Sequence, residues 1–88
     1  MKEKELEKIL KSLANKRRLT ILSLLKNQKE ATVGFIAEKI KLSYKATSKH
    51  LGLLSSANIL EKDQRSSQMF YKMSSNTPES ARRIINLL

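Results

Sequence analysis

Apolar residues recur at helical spacing in four consecutive stretches of this chain, give way to a period-two stretch, and return to helical spacing at the end. Leu6, Ile9, Leu10 and Leu13 mark one side of a helix over 2–13, with Glu3, Glu5 and Glu7 near its N-terminus, where the helix dipole favours acids. Asn15 then caps a helix over 16–27, whose Leu19, Ile21, Leu22, Leu24 and Leu25 give it a wide apolar surface central to the core. After the polar connector Asn27–Glu30, Thr32 caps a short helix with Val33, Ile36, Ala37 and Ile40 on one face. Lys41-Leu42-Ser43 breaks that face, and Ser43 caps a further helix reaching toward Asn58. Thr47, Leu51 and Leu54 line one side of this helix, with His50 and Ala57 beside them.

The opposite side carries Tyr44, Lys45, Ser48 and Lys49. Two helices joined by a tight turn, the second with an exposed polar N-terminal stripe, form a helix-turn-helix whose second helix suits the DNA major groove. Lysine reaches guanine acceptors or phosphates, and serine bonds to either kind of base edge. A solvated amphipathic helix would account for the stripe alone, so the segment after Asn58 decides between the two. Ile59–Asp63 reads as extended, Gln64–Ser67 as a turn, and Met69, Tyr71 and Met73 share one face of a second strand over 68–73. Helix-turn-helix plus hairpin is a winged-helix arrangement, mainly α with a small β-hairpin. It places Gln64, Arg65 and Ser67 at a wing tip near the backbone or minor groove, where arginine suits a narrow negative groove. Thr77-Pro78-Glu79 starts a last helix over 77–88, with cap residue, proline and acid in sequence.

Eighty-eight residues make one domain, 1–88, and a monomer of that size buries a marginal core. Dimerisation is one way to gain area. Ala81, Ile84, Ile85 and Leu88 of the last helix, with Leu6, Ile9, Leu10 and Leu13 of the first, are the expected homodimer interface; the competing arrangement packs the two terminal helices within one chain. The formal charge of +10, from 18 basic and 8 acidic side chains, favours a polyanion partner without implying sequence specificity. Lys41 adds to the basic helix-turn-helix. Lys16, Arg17 and Arg18 crowd a helix N-terminus, the wrong end for cations. That local conflict marks Arg17 and Arg18 as candidate phosphate contacts, although solvated surface cations would explain the run equally well.

Other chemistry is absent. One histidine and no cysteine cannot supply a typical metal site or a Cys-His pair, and no Gly-rich phosphate loop exists. Glu61 and Asp63 read as solvated strand ends, not paired catalytic acids. The apolar runs are far short of a membrane span, and nothing after Met1-Lys2-Glu3-Lys4-Glu5 has signal-peptide character. The sequence thus predicts a cytoplasmic, nucleoid-associated, non-enzymatic protein that binds double-stranded DNA, without membrane, metal or cofactor.

Leu13-Ala14-Asn15 through Arg18-Leu19 with Ile21-Leu22 resembles the LAxxxRLxIL opening of the ArsR-type winged-helix repressors. Leu42-Ser43, Ser48, His50-Leu51 and Leu54, followed by Ala57-Asn58-Ile59-Leu60, resembles that family's recognition helix and the run after it. Met69–Met73 looks like its second wing strand. The resemblance spans residues 6–73 and implies a homodimeric transcriptional regulator on a palindromic operator, with the first and last helices building the dimer. It sets Ser43, Tyr44, Lys45, Ser48 and Lys49 at recognition positions and His50 at a structural one. Departures are specific. Thr32 and Gly34 stand where soft-metal sensors carry Cys-x-Cys, and residues 77–88 hold neither Asp nor His for the zinc site of the last helix. Asn58 replaces a glycine, the wing lacks its usual glycine, and Gly52 sits mid-helix at about 1 kcal/mol against alanine.

Two other readings fit parts of the pattern. A non-specific architectural protein would coat DNA through charge alone, with a steep salt slope. A protein-binding winged-helix module would bind no duplex at physiological salt.

Overall fold

Asn15, Thr32 and Ser43 each cap the next helix, their side-chain oxygens accepting from the amides of Arg18, Phe35 and Ala46. The computed structural model describes residues 2–88, in the order α1 (Glu3–Leu13), α2 (Lys16–Gln28), β1 (Glu30–Thr32), α3 (Val33–Ile40), α4 (Tyr44–Ser56), β2 (Leu60–Arg65), β3 (Gln68–Met73) and α5 (Glu79–Ile85). Two helix ends close with left-handed residues. Lys41 (φ 56°) and Asn58 (φ 61°) let Leu42 and Ile59 donate back to Ala37 and Leu54 at 3.0 Å, satisfying terminal carbonyls of α3 and α4. The asparagine thus does a glycine's work after α4.

The core joins all five helices to the sheet. Ile21, Leu22, Ile36, Leu51, Leu54 and Ile59 are fully buried, and Thr47, Leu51 and Leu54 form the inward side of α4. Val33, Ile36, Ala37 and Ile40 make the inward face of α3, as their spacing requires.

Three features differ from the sequence expectation. Residues 30–32 form a third strand in place of a connector, and the sheet order is β1-β3-β2, with both pairings antiparallel. Three residues are too few to show alternation, so periodicity could not reveal the strand. The hairpin turn is confined to Ser66 and Ser67, since β2 runs through Arg65. Ser66 sits at φ 55°, a position that favours glycine. Finally, α5 begins at Glu79, because the Thr77 hydroxyl does not cap it. That hydroxyl is drawn to the carbonyls of Ser74 and Ile59 at 2.6 and 3.2 Å, tying the start of α5 to the base of the hairpin.

Candidate nucleic-acid interface

The two sides of α4 are chemically opposite because its inward side must fill the core. Tyr44 is 63% exposed, Lys45 and Lys49 are exposed and Ser48 is half-buried. Lys41 and Ser43, both exposed, precede them in the turn. The predicted stripe is thus assembled on one surface, its cations free of ion pairs among the described residues. Such a surface offers ammonium, hydroxyl and phenol groups to phosphates and base edges.

The structure gives the arginines at the start of α2 partners within the chain. Arg17 donates to the Ile40 carbonyl (3.0 Å) at the end of α3. Arg18 donates to the carbonyls of Ser12 (2.5 Å) and Lys11 (3.1 Å) at the end of α1, and to His50 Nδ1 at 3.2 Å. Two helix C-termini converge on this point, and their unpaired carbonyls attract the guanidinium groups. The cations that looked misplaced on their own helix are well placed for two others. Arg18 is half-buried with its guanidinium on these acceptors, whereas Arg17 keeps an exposed position. Burial, together with the charges of Arg18, Arg17 and Lys49, lowers the His50 pKa. Arginine can only donate, so Nδ1 accepts in this contact and the ring links α4 to α2.

Arg65 also departs from expectation. It is the last residue of β2, and its guanidinium meets both Glu30 oxygens at 2.8 Å and Asp63 Oδ2 at 3.0 Å, 4.5 Å over the Phe70 ring. These partners hold the Glu30 carboxyl below its usual range and the arginine firmly charged. The wing tip is left to Ser66 and Ser67, with Gln64 folded back toward the Ser66 carbonyl at 3.5 Å. The sequence could not show this, because Glu30 lies 35 positions from Arg65 on the unforeseen strand.

One exposed cation on the wing was not singled out from the sequence. Lys62 is exposed and pairs with Tyr71, and Gln64 pairs with Met69, so Lys62 and Gln64 share a face of β2. The period-two rule applied to β2 would have found it.

The expected dimer residues divide. Ile9, Leu13, Ala81 and Ile85 are buried where α1 and α5 pack within the chain, Ile84 is half-buried, and Leu6, Leu10 and Leu88 are 36%, 44% and 42% exposed. The intramolecular alternative accounts for the first four and partly covers Ile84; Leu6, Leu10 and Leu88 remain exposed. Among the described residues there is no cluster of His, Cys, Asp and Glu able to hold a metal ion, and no helix is long and apolar enough to cross a membrane.

Comparison with known proteins places this geometry. The transcriptional activator HlyU of Vibrio cholerae is 36% identical over 67 residues, which are 76% of this chain and 61% of that protein. This chain thus spans less than two thirds of the curated relative's length. The structure of reduced HlyU superposes with a TM-score of 0.81 at 32% identity, covering 96% of this chain and 84% of that one. A homodimeric winged helix-turn-helix DNA-binding domain from Mycobacterium bovis, described as a possible ArsR-family regulator, gives 0.81 at 30% identity, covering 96% and 74%. The transcriptional repressor BigR of Xylella fastidiosa gives 0.77 at 27%, covering 97% and 80%. The family model for bacterial regulatory proteins of the arsR type matches residues 15–62, from the α2 cap through α4 into β2. The fold is a winged helix-turn-helix, and the chain belongs to the arsR family of bacterial regulatory proteins.

Proposed function

We propose that this protein is a transcriptional regulator that binds duplex DNA as a homodimer, with α4 in the major groove and the wing alongside the backbone or minor groove. One observation carries the reading. The N-terminal part of α4 presents Tyr44, Lys45, Ser48 and Lys49 outward while Thr47, Leu51 and Leu54 anchor its other side. Lys41 and Ser43 extend that surface, and Lys62, Gln64 and Ser67 continue it along the wing. Arg17 adds a phosphate contact at its edge. The unit is the whole described chain, a single winged-helix domain.

The exposed apolar residues Leu6, Leu10 and Leu88, with half-buried Ile84, supply the dimer contact. The M. bovis relative is homodimeric, which supports the same state here. HlyU is described as an activator and BigR as a repressor. Repression is proposed here, because blocking a promoter needs only a DNA-binding surface. The protein acts on chromosomal DNA in the cytoplasm, as a binding protein and not an enzyme, and no metal takes part.

Fluorescence-anisotropy titration of a duplex from the gene's own upstream region, beside a scrambled duplex of equal composition, tests this. A preference of a hundredfold or more, roughly 2.7 kcal/mol, supports autoregulation by a specific repressor. Equal, salt-sensitive binding there and a flat random-sequence selection favour the architectural reading, for which the +10 charge is the motivating observation. Absence of binding to either duplex, at low and at physiological salt, would point to a protein partner.

A further inference from the structure

A second basic surface lies away from α4. Lys26 and Lys29 from the end of α2, Lys72 from β3 and Arg82 from α5 line one concavity of about 380 Å³ at the base of the wing. Leu25, Met73 and Ile85 form its apolar part, Ser74 and Thr77 complete its rim, and no Asp or Glu side chain lines it. Glu30 and Glu61 stand opposite Lys72 in the sheet; Glu30 feels the lysine's charge, but neither carboxylate forms an ion pair with it. Both Glu30 oxygens meet Arg65, and Glu61 accepts from the Ser75 amide at 3.0 Å. Lys26 donates to the backbone oxygen of Leu88 at 2.8 Å. Lys29, Lys72 and Arg82 have no ion-pair partner among the described residues.

This concavity is not an extension of the α4 surface. Arg17 and Arg18, at the start of α2, touch α3 and α4, and Lys29 lies about 18 Å farther along at helical rise. The wing tip is likewise about 17 Å from Met73 along β3. The backbone at Lys29 adopts φ 71° and ψ −55°, an unfavourable conformation for a residue with a side chain. Like charges gathered in a concavity repel each other and raise the local concentration of anions.

We propose that the concavity between the end of α2, the base of the wing and α5 binds a small, multiply charged anion bearing phosphate groups. Lys29, Lys72 and Arg82 hold the phosphate oxygens, and arginine offers them its two-pronged geometry. Leu25, Met73 and Ile85 provide contact for an organic part, so the occupant is an organic phosphate of metabolite size. This is a ligand site in its own right and does not depend on DNA recognition.

Calorimetric titration of the full chain with pyrophosphate and with adenosine diphosphate, without DNA and at constant ionic strength, tests it. Saturable binding of one anion per chain is expected, with the diphosphate nucleotide at least as tight as pyrophosphate. The double variant Lys29→Gln with Arg82→Gln should weaken binding at least tenfold. Lys4→Gln with Lys8→Gln, an equal charge change on α1, should alter it less than twofold. If the first double variant does not fold, judged by its thermal melt, Arg82→Gln alone should still weaken binding at least threefold. Absence of saturable binding, or equal losses in the two double variants, would overturn the proposal.

Discussion

Arg65 and Glu30 face each other across the whole width of the sheet, from β2 over β3 to β1, through two N–H···O contacts of 2.8 Å. The guanidinium crosses above Phe70, its ring centroid 4.5 Å away. Three strands are thereby clasped near the wing tip by one side chain. The residue expected to probe DNA is engaged within the wing in this conformation.

Removing the carboxylate charge should therefore release a cation. Glu30→Gln keeps the side-chain shape and leaves Arg65 with Asp63 alone. The expected result is tighter binding to duplex DNA, with a salt slope steeper by about one unit as Arg65 reaches a phosphate. Titrations of wild type and variant across a range of salt concentrations measure it. An unchanged slope would mean that Asp63 and Phe70 suffice to hold the arginine.

Gly52 offers a cleaner stability test. A Cβ built there meets nothing within 4 Å, and the residue lies mid-helix on the exposed side of α4. Gly52→Ala should stabilise the fold by about 1 kcal/mol, read as a shift in the denaturant midpoint. Duplex affinity of the same variant reports on a second matter. Unchanged affinity would show that DNA does not need the bare backbone; a tenfold loss would show that phosphates approach it closely.

The sequence revealed those parts of the fold that rest on repeated local signals. Asn15, Thr32 and Ser43 cap their helices through the hydrogen bonds expected of them. Thr47, Leu51 and Leu54 turn inward at their helical spacing, leaving Tyr44, Lys45 and Lys49 outside. What stayed hidden depends on distant partners. Arg17 and Arg18 conflict with their own helix, and only the convergence of α1 and α3 explains them. Glu30 is one polar residue in a connector until the strand pairing sets it opposite Lys72. Ile9 and Leu10 look equivalent in the pattern, yet one is 6% exposed and the other 44%, because α5 and α4 determine which side of α1 is covered.

His50 gives the fold a pH dependence of known sign. Its folded pKa is lowered, first by burial and then by the charges of Arg18, Arg17 and Lys49. The unfolded chain therefore binds the proton more readily. The stabilising contribution of the neutral ring is complete above the unfolded value near 6.5 and is lost as pH falls through the lower folded value. Protonation also removes the lone pair that accepts from Arg18 at 3.2 Å. Denaturation midpoints from pH 8 to pH 5 should fall for the wild type and flatten in His50→Gln. Parallel curves would assign the acid sensitivity to another group.

The terminal helices separate core from interface in one experiment. Ile9 is 6% exposed and packs in the core, whereas Leu6 and Leu10, one turn apart on α1, are 36% and 44% exposed. Leu6→Glu with Leu10→Glu should leave the monomer fold intact and shift the protein from dimer to monomer in sedimentation. Ile9→Ala should cost about 2–5 kcal/mol of stability through the cavity it leaves. In a dimer, the Leu6–Leu10 variant should also lose DNA affinity, since two recognition helices on one rigid body bind far more tightly than one. A monomeric wild type would assign the exposed leucines to another partner. A dimeric Leu6–Leu10 variant would move the interface to Ile84 and Leu88, where Ile84→Glu is the next substitution to read.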